Sequence, residues 1–385
     1  MSHDAYLVPA SSAEVPKIIG CTNKLAEEGW ISPYTGKKLA FNWWREDAPY
    51  KHSHLLVSYF YAKNKADFRA GQDLKGLTII SDSGGFQIAT QHLKGLKTDL
   101  QPEKVLHWQE VNSDIAIALD FPISMEEYMI TPEEFKKRLE FLYNNNQVYQ
   151  KNRNNADTKI YNVLHGDNLE QWEEWYNTVK EFKFEGWSIG VKPSYMPLKI
   201  SLAIMFLYEK GIRKNLHILG TTGMNVIPIF AYLSNFIENI TYDSSTFGQG
   251  AMSRNYITPM SLRWDISFGD KTNAKNFKEL PCKCPVCQHM TIKEVMDPGS
   301  LGGALCSHHN LYWTVQYSYL MNTLKSEKRL FLKFIDNFCT PETKHAIDFI
   351  DLAMKQGFKV AYDRYIIHDE LFRWKQENPG KLTLF

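Results

Sequence analysis

The sequence predicts an α/β fold, a (β/α)8 barrel carrying a small zinc-binding subdomain near its C-terminal end, and three observations lead there. Eight short β-rich runs succeed one another, amphipathic helical stretches separate the later ones, and a polar turn follows most of them. Strands alternating with helices imply a parallel sheet, and a count of eight favours closure over an open doubly wound sheet.

The strands in order are AYLVPA from Ala5, HLLVSYF from His54, LTIIS from Leu77, DIAIALD from Asp114, IYNVLHG from Ile160, GWSIGV from Gly186, LHILG from Leu216 and ITYDS from Ile240. Between them TPEEFKKRLEFLYNNNQVYQ, NLEQWEEWYNTVKEF and PLKISLAIMFLYEKG read as helices, with Thr131 and Asn168 placed as N-caps because their side-chain oxygens can accept from the exposed amides of a first turn. The expected organisation is a barrel over residues 1–275, a metal-tied insert over 276–313, and helices over 314–385 that pack on the barrel.

Composition agrees with a globular protein able to bury a large core: 385 residues, 44% hydrophobic, 14% aromatic and 23% charged. No apolar run reaches the roughly 20 residues that cross a bilayer, and MSHDAYLVPA lacks the layout of a signal peptide, so a cytoplasmic protein with no membrane partner is expected. The net charge of +1 gives no global basic field, and a nucleic-acid partner would need a local patch. Lys136, Lys137 and Arg138, and Lys325, Lys328, Arg329 and Lys333, form two basic clusters of the kind usually found on solvated helix faces.

In a barrel of this type the loops after the strands form the catalytic face. Here they begin SDSGGFQ, DFPIS, HGDN, GVKP, GTTG and DSSTFGQG, bringing Asp82, Asp120, His165, Asp167, Lys192 and Asp243 to one mouth. An Asp at a strand tip followed by two glycines can be an ordinary Asx turn, or it can let a flat ligand approach the backbone. Phe86 and Tyr242 are candidates to stack on such a ligand, against the plainer reading that they belong to the core.

Three of the six cysteines, Cys282, Cys284 and Cys287, fall within six positions as C-x-C-x-x-C. Thiolates so closely spaced suit one tetrahedral zinc better than a disulfide framework, which fits a reducing compartment. His308, His309, His289 and Cys306 are candidates for the fourth ligand. A full protein shell leaves no open position, so the zinc is expected to be structural.

DSGGFQ, the C-x-C-x-x-C and a downstream HNL together resemble the tRNA-guanine transglycosylase superfamily, over roughly Leu77 to Trp313. The resemblance implies zinc on Cys282, Cys284, Cys287 and His309. It implies Asp243, in ITYDSSTFGQGAMSRNYIT, as nucleophile, and Asp82 as acid/base group. Asp120 in LDFPIS would read the base, with Ser83, Gly84, Gly85, Phe86, Gln87, Gly166, Gly190 and Arg254 as further substrate contacts. Two departures stand out: Ile189 where the family has the first glycine of a pair, and His165 where bacterial members have a base-reading Gln.

The implied activity is that of a pentosyltransferase that exchanges guanine in a nucleic acid for a 7-deazaguanine by double displacement, as a retaining glycosidase does with two carboxylates. No nucleotide cofactor is required. STFGQGAMSRNY replaces the L-P-T-R-N-A-R-type stretch of bacterial tRNA enzymes, the expected RNA-binding extension of archaeal members finds no room, and the residues before SDSGG do not look like the usual N-terminal half-barrel. These features make DNA the expected substrate, resembling the 7-deazaguanine DNA transglycosylases that insert 7-cyano-7-deazaguanine, with tRNA as the alternative. A homodimer and helper proteins that open the duplex are compatible partners. A silent paralogue serving as a partner subunit would not need both Asp82 and Asp243, and a glycoside hydrolase would not need the zinc insert.

Overall fold

The structure is a computed structural model that describes residues 3–11, 17–70, 74, 76–87, 100–122, 130–190, 196–258, 262, 266–269 and 277–366. Eight parallel strands close into a barrel: β1 (Ala5–Ser11), β2 (His54–Ser58), β3 (Thr78–Asp82), β4 (Ile115–Ile117), β5 (Lys159–Leu164), β6 (Gly186–Ile189), β7 (Lys214–Ile218) and β8 (Glu238–Ser244). Each pairs with its sequence neighbours, and β1 closes the ring by pairing with both β8 and β2. The eight expected strands are these eight.

Register sets the catalytic face. Ser58 pairs with Asp82 and Val8 with Asp243, so both carboxylates sit at the C-terminal ends of their strands. Beneath them the lumen is filled by Val8, Leu56, Ile80, Ile117, Tyr161 and Val163, a packed core and not a pore.

The outer helices include α1 (Pro102–Asn112), α2 (Pro132–Asn152), α3 (Leu169–Val179), α4 (Pro197–Glu209) and α5 (Ile227–Leu233). Both expected N-caps form: Thr131 accepts from the Glu134 amide and Asn168 from the Gln171 amide. Trp172 and Trp175 put one face of α3 into the core, where the Trp175 indole donates to the Val163 carbonyl at 2.8 Å. Between α4 and its neighbours almost every side chain is buried, because a later helix, Pro341–Gln356, covers its outer side.

After β8 come α6 (Thr246–Met252), the cysteine-rich segment, α7 (Ser300–Leu324), α8 (Lys328–Phe338) and α9 (Pro341–Gln356). Position 313 lies inside α7, so one helix carries the histidines of the metal segment at one end and docks on the barrel with the other. There the Asn322 amide brackets Ala5, accepting from its N–H at 3.0 Å and donating to its carbonyl at 2.8 Å. Among the described residues no helix is long and apolar enough to cross a membrane.

The basic clusters divide. Lys136 and Lys137 face solvent, but Arg138 is 2% exposed, donates to the Pro122 carbonyl at 2.7 Å and lies 4.7 Å from the Phe121 ring. Lys325 is likewise buried and sits 3.3 Å from Asp4.

Candidate active site and metal centre

Asp82 ends β3, and the Gly84 amide donates to its Oδ2 at 3.3 Å. Burial pushes its carboxyl up to about 7, Asp120 and Asp243 push the same way, and the Ser58 hydroxyl and Gly84 amide only partly oppose them. A carboxyl held there can give up and recover a proton at neutral pH.

Asp120, just past β4, is 3% exposed and takes hydrogen bonds on both oxygens. Ser83 donates to Oδ1 at 3.3 Å, and His165 Nε2 lies 2.6 Å from Oδ2. The other ring nitrogen, Nδ1, lies 3.0 Å from the Gly190 carbonyl. Glycine is required on both sides of this pair: a Cβ on Gly85 would lie 2.3 Å from Asp120 Oδ1, and one on Gly190 would lie 2.4 Å from His165 Cε1. The glycine after Gly84 therefore makes room for Asp120 as well as for any ligand.

Asp243 is 7% exposed, with its Oδ1 accepting from the Gly220 amide at 2.8 Å. His217 Nε2 sits 3.2 Å from the same oxygen, and its Nδ1 is 2.9 Å from the Thr241 hydroxyl. Sequence reasoning named neither His217 nor His165 as a partner of these carboxylates. The signal available was a histidine close before each strand-end loop glycine, His165 one residue before Gly166 and His217 three before Gly220, which becomes meaningful only once the barrel is closed.

The remaining expected contacts fall into distinct places. Phe86 is 59% exposed, whereas Tyr242 is fully buried, packs against Phe230 and donates to Ser318 at 2.6 Å, which makes it a core residue. Gln87 stands at the end of the loop with Oε1 buried and no partner among the described residues. Gly166 offers its carbonyl to the Trp172 indole at 3.0 Å. Asp167 is paired with Lys199 of α4. Lys192, and Ile123 and Ser124 of DFPIS, lie outside the described residues.

Arg254 departs from its expected role as a substrate contact. Its guanidinium donates to the carbonyls of Met252 at 2.9 Å, Asp297 at 2.6 Å and Gly299 at 2.7 Å, and the residue is 7% exposed. It fastens α6 to the turn that starts α7, because a planar five-donor group satisfies several converging carbonyls at once.

The cysteine segment resolves the fourth ligand. Cys282, Cys284, Cys287 and His309 bring their ligand atoms within 4.8 Å of one another, all four buried. His309 Nε2 lies 2.9 Å from the Ile257 carbonyl, which can only accept, so Nε2 carries the hydrogen and Nδ1 faces the thiols with its lone pair. That tautomer is the one a metal ligand needs. Cys306 instead donates to the Asn255 carbonyl at 3.0 Å, and His308 packs between Phe41 and Tyr50. Outer contacts complete the shell: the Trp313 indole donates to Cys282 at 3.3 Å, and the Tyr256 hydroxyl lies 2.7 Å from Cys287. Three cysteines and one histidine so arranged can hold a metal such as zinc.

No protein-family model matches the chain. Among curated proteins it is 21% identical over 322 residues to a protein of Methanococcus vannielii named tRNA-guanine(15) transglycosylase. Proteins of the same name from Methanococcus aeolicus and Methanosarcina mazei are each 23% identical to it, over 280 and 313 residues. Over most of its length the chain is similar to these tRNA-guanine transglycosylases. The matches cover 77%, 69% and 75% of this chain but 47%, 40% and 58% of the relatives, so it spans about half the length of the curated proteins it matches. Their names specify tRNA.

Proposed function

We propose that the chain is a pentosyltransferase exchanging guanine in a nucleic acid for a free guanine-like base, through a covalent ester between Asp243 and the sugar. The observation that carries this reading is the pairing of roles at one mouth: Asp82 poised at about 7 beside Asp243, whose Oδ1 is pinned by the Gly220 amide. Asp243 Oδ2 attacks the anomeric carbon as its bond to the base breaks, and the Asp82 proton passes to the departing guanine. In the second half Asp82 takes the proton from the incoming base, whose nitrogen displaces the ester oxygen. Asp120 accepts from the ring N–H and exocyclic amine of the base, a two-donor edge that adenine lacks, and Phe86 offers a stacking face. Ser83, Gly84, Gly85, Gln87, Gly166 and Gly190 shape the pocket, the glycines by closeness of backbone.

Cys282, Cys284, Cys287 and His309 would hold a zinc that supplies a cross-link between the segment after β8 and α7, with no open position for a substrate. The names of the relatives favour tRNA as substrate, and the resemblance carried by DSGGFQ and the cysteine motif implies 7-deazaguanines as incoming bases. One observation favours DNA as the second reading: the stretch Ser245–Tyr256 does not match the tRNA-gripping motif, and its arginine, Arg254, is spent on backbone carbonyls. Incubation with labelled guanine and either tRNA transcripts or duplex and single-stranded DNA tests both. Label is expected in tRNA; label in DNA alone would reverse the order of the two readings, and label in neither would remove the base-exchange reading.

A further inference from the structure

The histidine that replaces a family glutamine is bonded to the base-reading carboxylate, and the geometry of its two nitrogens fixes where one proton lies. The Gly190 carbonyl, 3.0 Å from Nδ1, is an acceptor only, so Nδ1 carries a hydrogen. A neutral imidazole would then turn a bare Nε2 lone pair toward Asp120 Oδ2, 2.6 Å away, where two acceptors would repel. A contact that short between those atoms requires a proton between them.

We propose that His165 is a specificity-determining positioning residue that keeps Asp120 an acceptor-only reader of the base. Whether the shared proton rests on Nε2 or on Oδ2, it lies on the line between the two residues and does not face the pocket. The other oxygen accepts from Ser83 Oγ at 3.3 Å and retains lone-pair capacity. Asp120 therefore offers only acceptors to a ligand edge, which matches the two adjacent donors of guanine-like bases and opposes an acceptor in either position. Without His165, Oδ2 of a carboxyl that is 3% exposed loses the partner that fixes which way its two oxygens face.

The clamp is held from every side. Gly85 and Gly190 admit the two side chains at distances no Cβ would allow, and the Trp175 ring meets His165 edge-on at 5.1 Å between centroids. The charged neighbour is Asp82, on which Asp120 acts directly. A histidine used in this way does not itself read the base, unlike the glutamine it replaces.

The inference rests on the base-exchange reading, and the test separates the two. In the full-length protein, guanine exchange is measured for wild type, His165→Leu and His165→Gln, alongside nitrogen NMR of isotopically labelled histidine. Wild type is expected to exchange guanine, and its His165 to show Nδ1 protonated with Nε2 sharing a proton. His165→Leu is expected to raise KM for guanine about ten- to hundredfold while kcat changes less than threefold. His165→Gln, whose amide can still donate to Asp120, is expected to recover most of the loss. A His165→Leu protein with unchanged KM or with its loss entirely in kcat overturns the clamp, and so does a His165 whose nitrogen signals show no proton shared with Asp120. Failure of wild type itself to exchange any base would instead overturn the base-exchange reading, and the specificity role with it.

Discussion

Asp82 makes two expectations at the scale of one residue. Its carboxyl is pushed up to about 7 from an ordinary 3.8, so between these values the native state holds a proton that the unfolded chain releases. Stability conferred by that proton is present at the acid end of the window and falls as pH rises through it. Asp82→Asn should therefore be more stable than wild type at pH 8, by about 1–2 kcal/mol after discounting for partial exposure, and indistinguishable near pH 4. Denaturant unfolding at the two pH values checks this; equal stability differences at both would show that Asp82 titrates normally. In the proposed exchange the same proton is consumed in the first half-reaction, so ester formation should slow as pH rises above about 7, and Asp82→Asn should be slow at every pH. Stopped single-turnover gels read that profile.

Elements position these residues through contacts that a linear reading sees only in part. The eight strands and two helix caps were legible because period, length and cap chemistry are local properties of the chain. Three cysteines were legible as a metal site for the same reason, but the choice among His289, Cys306, His308 and His309 depended on which face of α7 meets the Ile257 carbonyl. Arg138 read as part of a solvated cluster, yet α2 turns it inward to brace the loop carrying Asp120 through the Pro122 carbonyl. Arg138→Ala should destabilise the protein by about 1–3 kcal/mol in denaturant unfolding, and Arg138→Lys should recover little, since lysine lacks the planar fork. Loss of less than half a kcal/mol, roughly the scale of a surface change, would return Arg138 to the surface. For the metal segment, Cys284→Ser should lose near-stoichiometric zinc in elemental analysis and unfold at lower temperature; a folded variant of unchanged stability without zinc would refute a structural role.

Across the whole molecule, closure of the barrel is what turns scattered residues into a site. His165 approaches Asp120 from 45 positions away, and His217 approaches Asp243 from 26, each from the neighbouring strand or the loop that follows it. Such pairs leave no periodic trace in sequence, which is why the carboxylates could be named from motifs while their partners could not. The same closure consumes groups that looked available, Asp167 with Lys199 and Arg254 with the start of α7. Among the described residues, what remains at the mouth is an exposed Phe86 and the carboxylates of Asp82, Asp120 and Asp243, with His165 Nε2 2.6 Å from Asp120.

In the proposed exchange Asp243 forms the bond to the sugar. Mass mapping of peptides from protein incubated with nucleic acid, then denatured before the second half-reaction, tests it most directly. The expected result is a sugar-linked peptide containing Asp243 that disappears in Asp243→Asn; an adduct on Asp82, or one that persists in Asp243→Asn, would contradict the assignment.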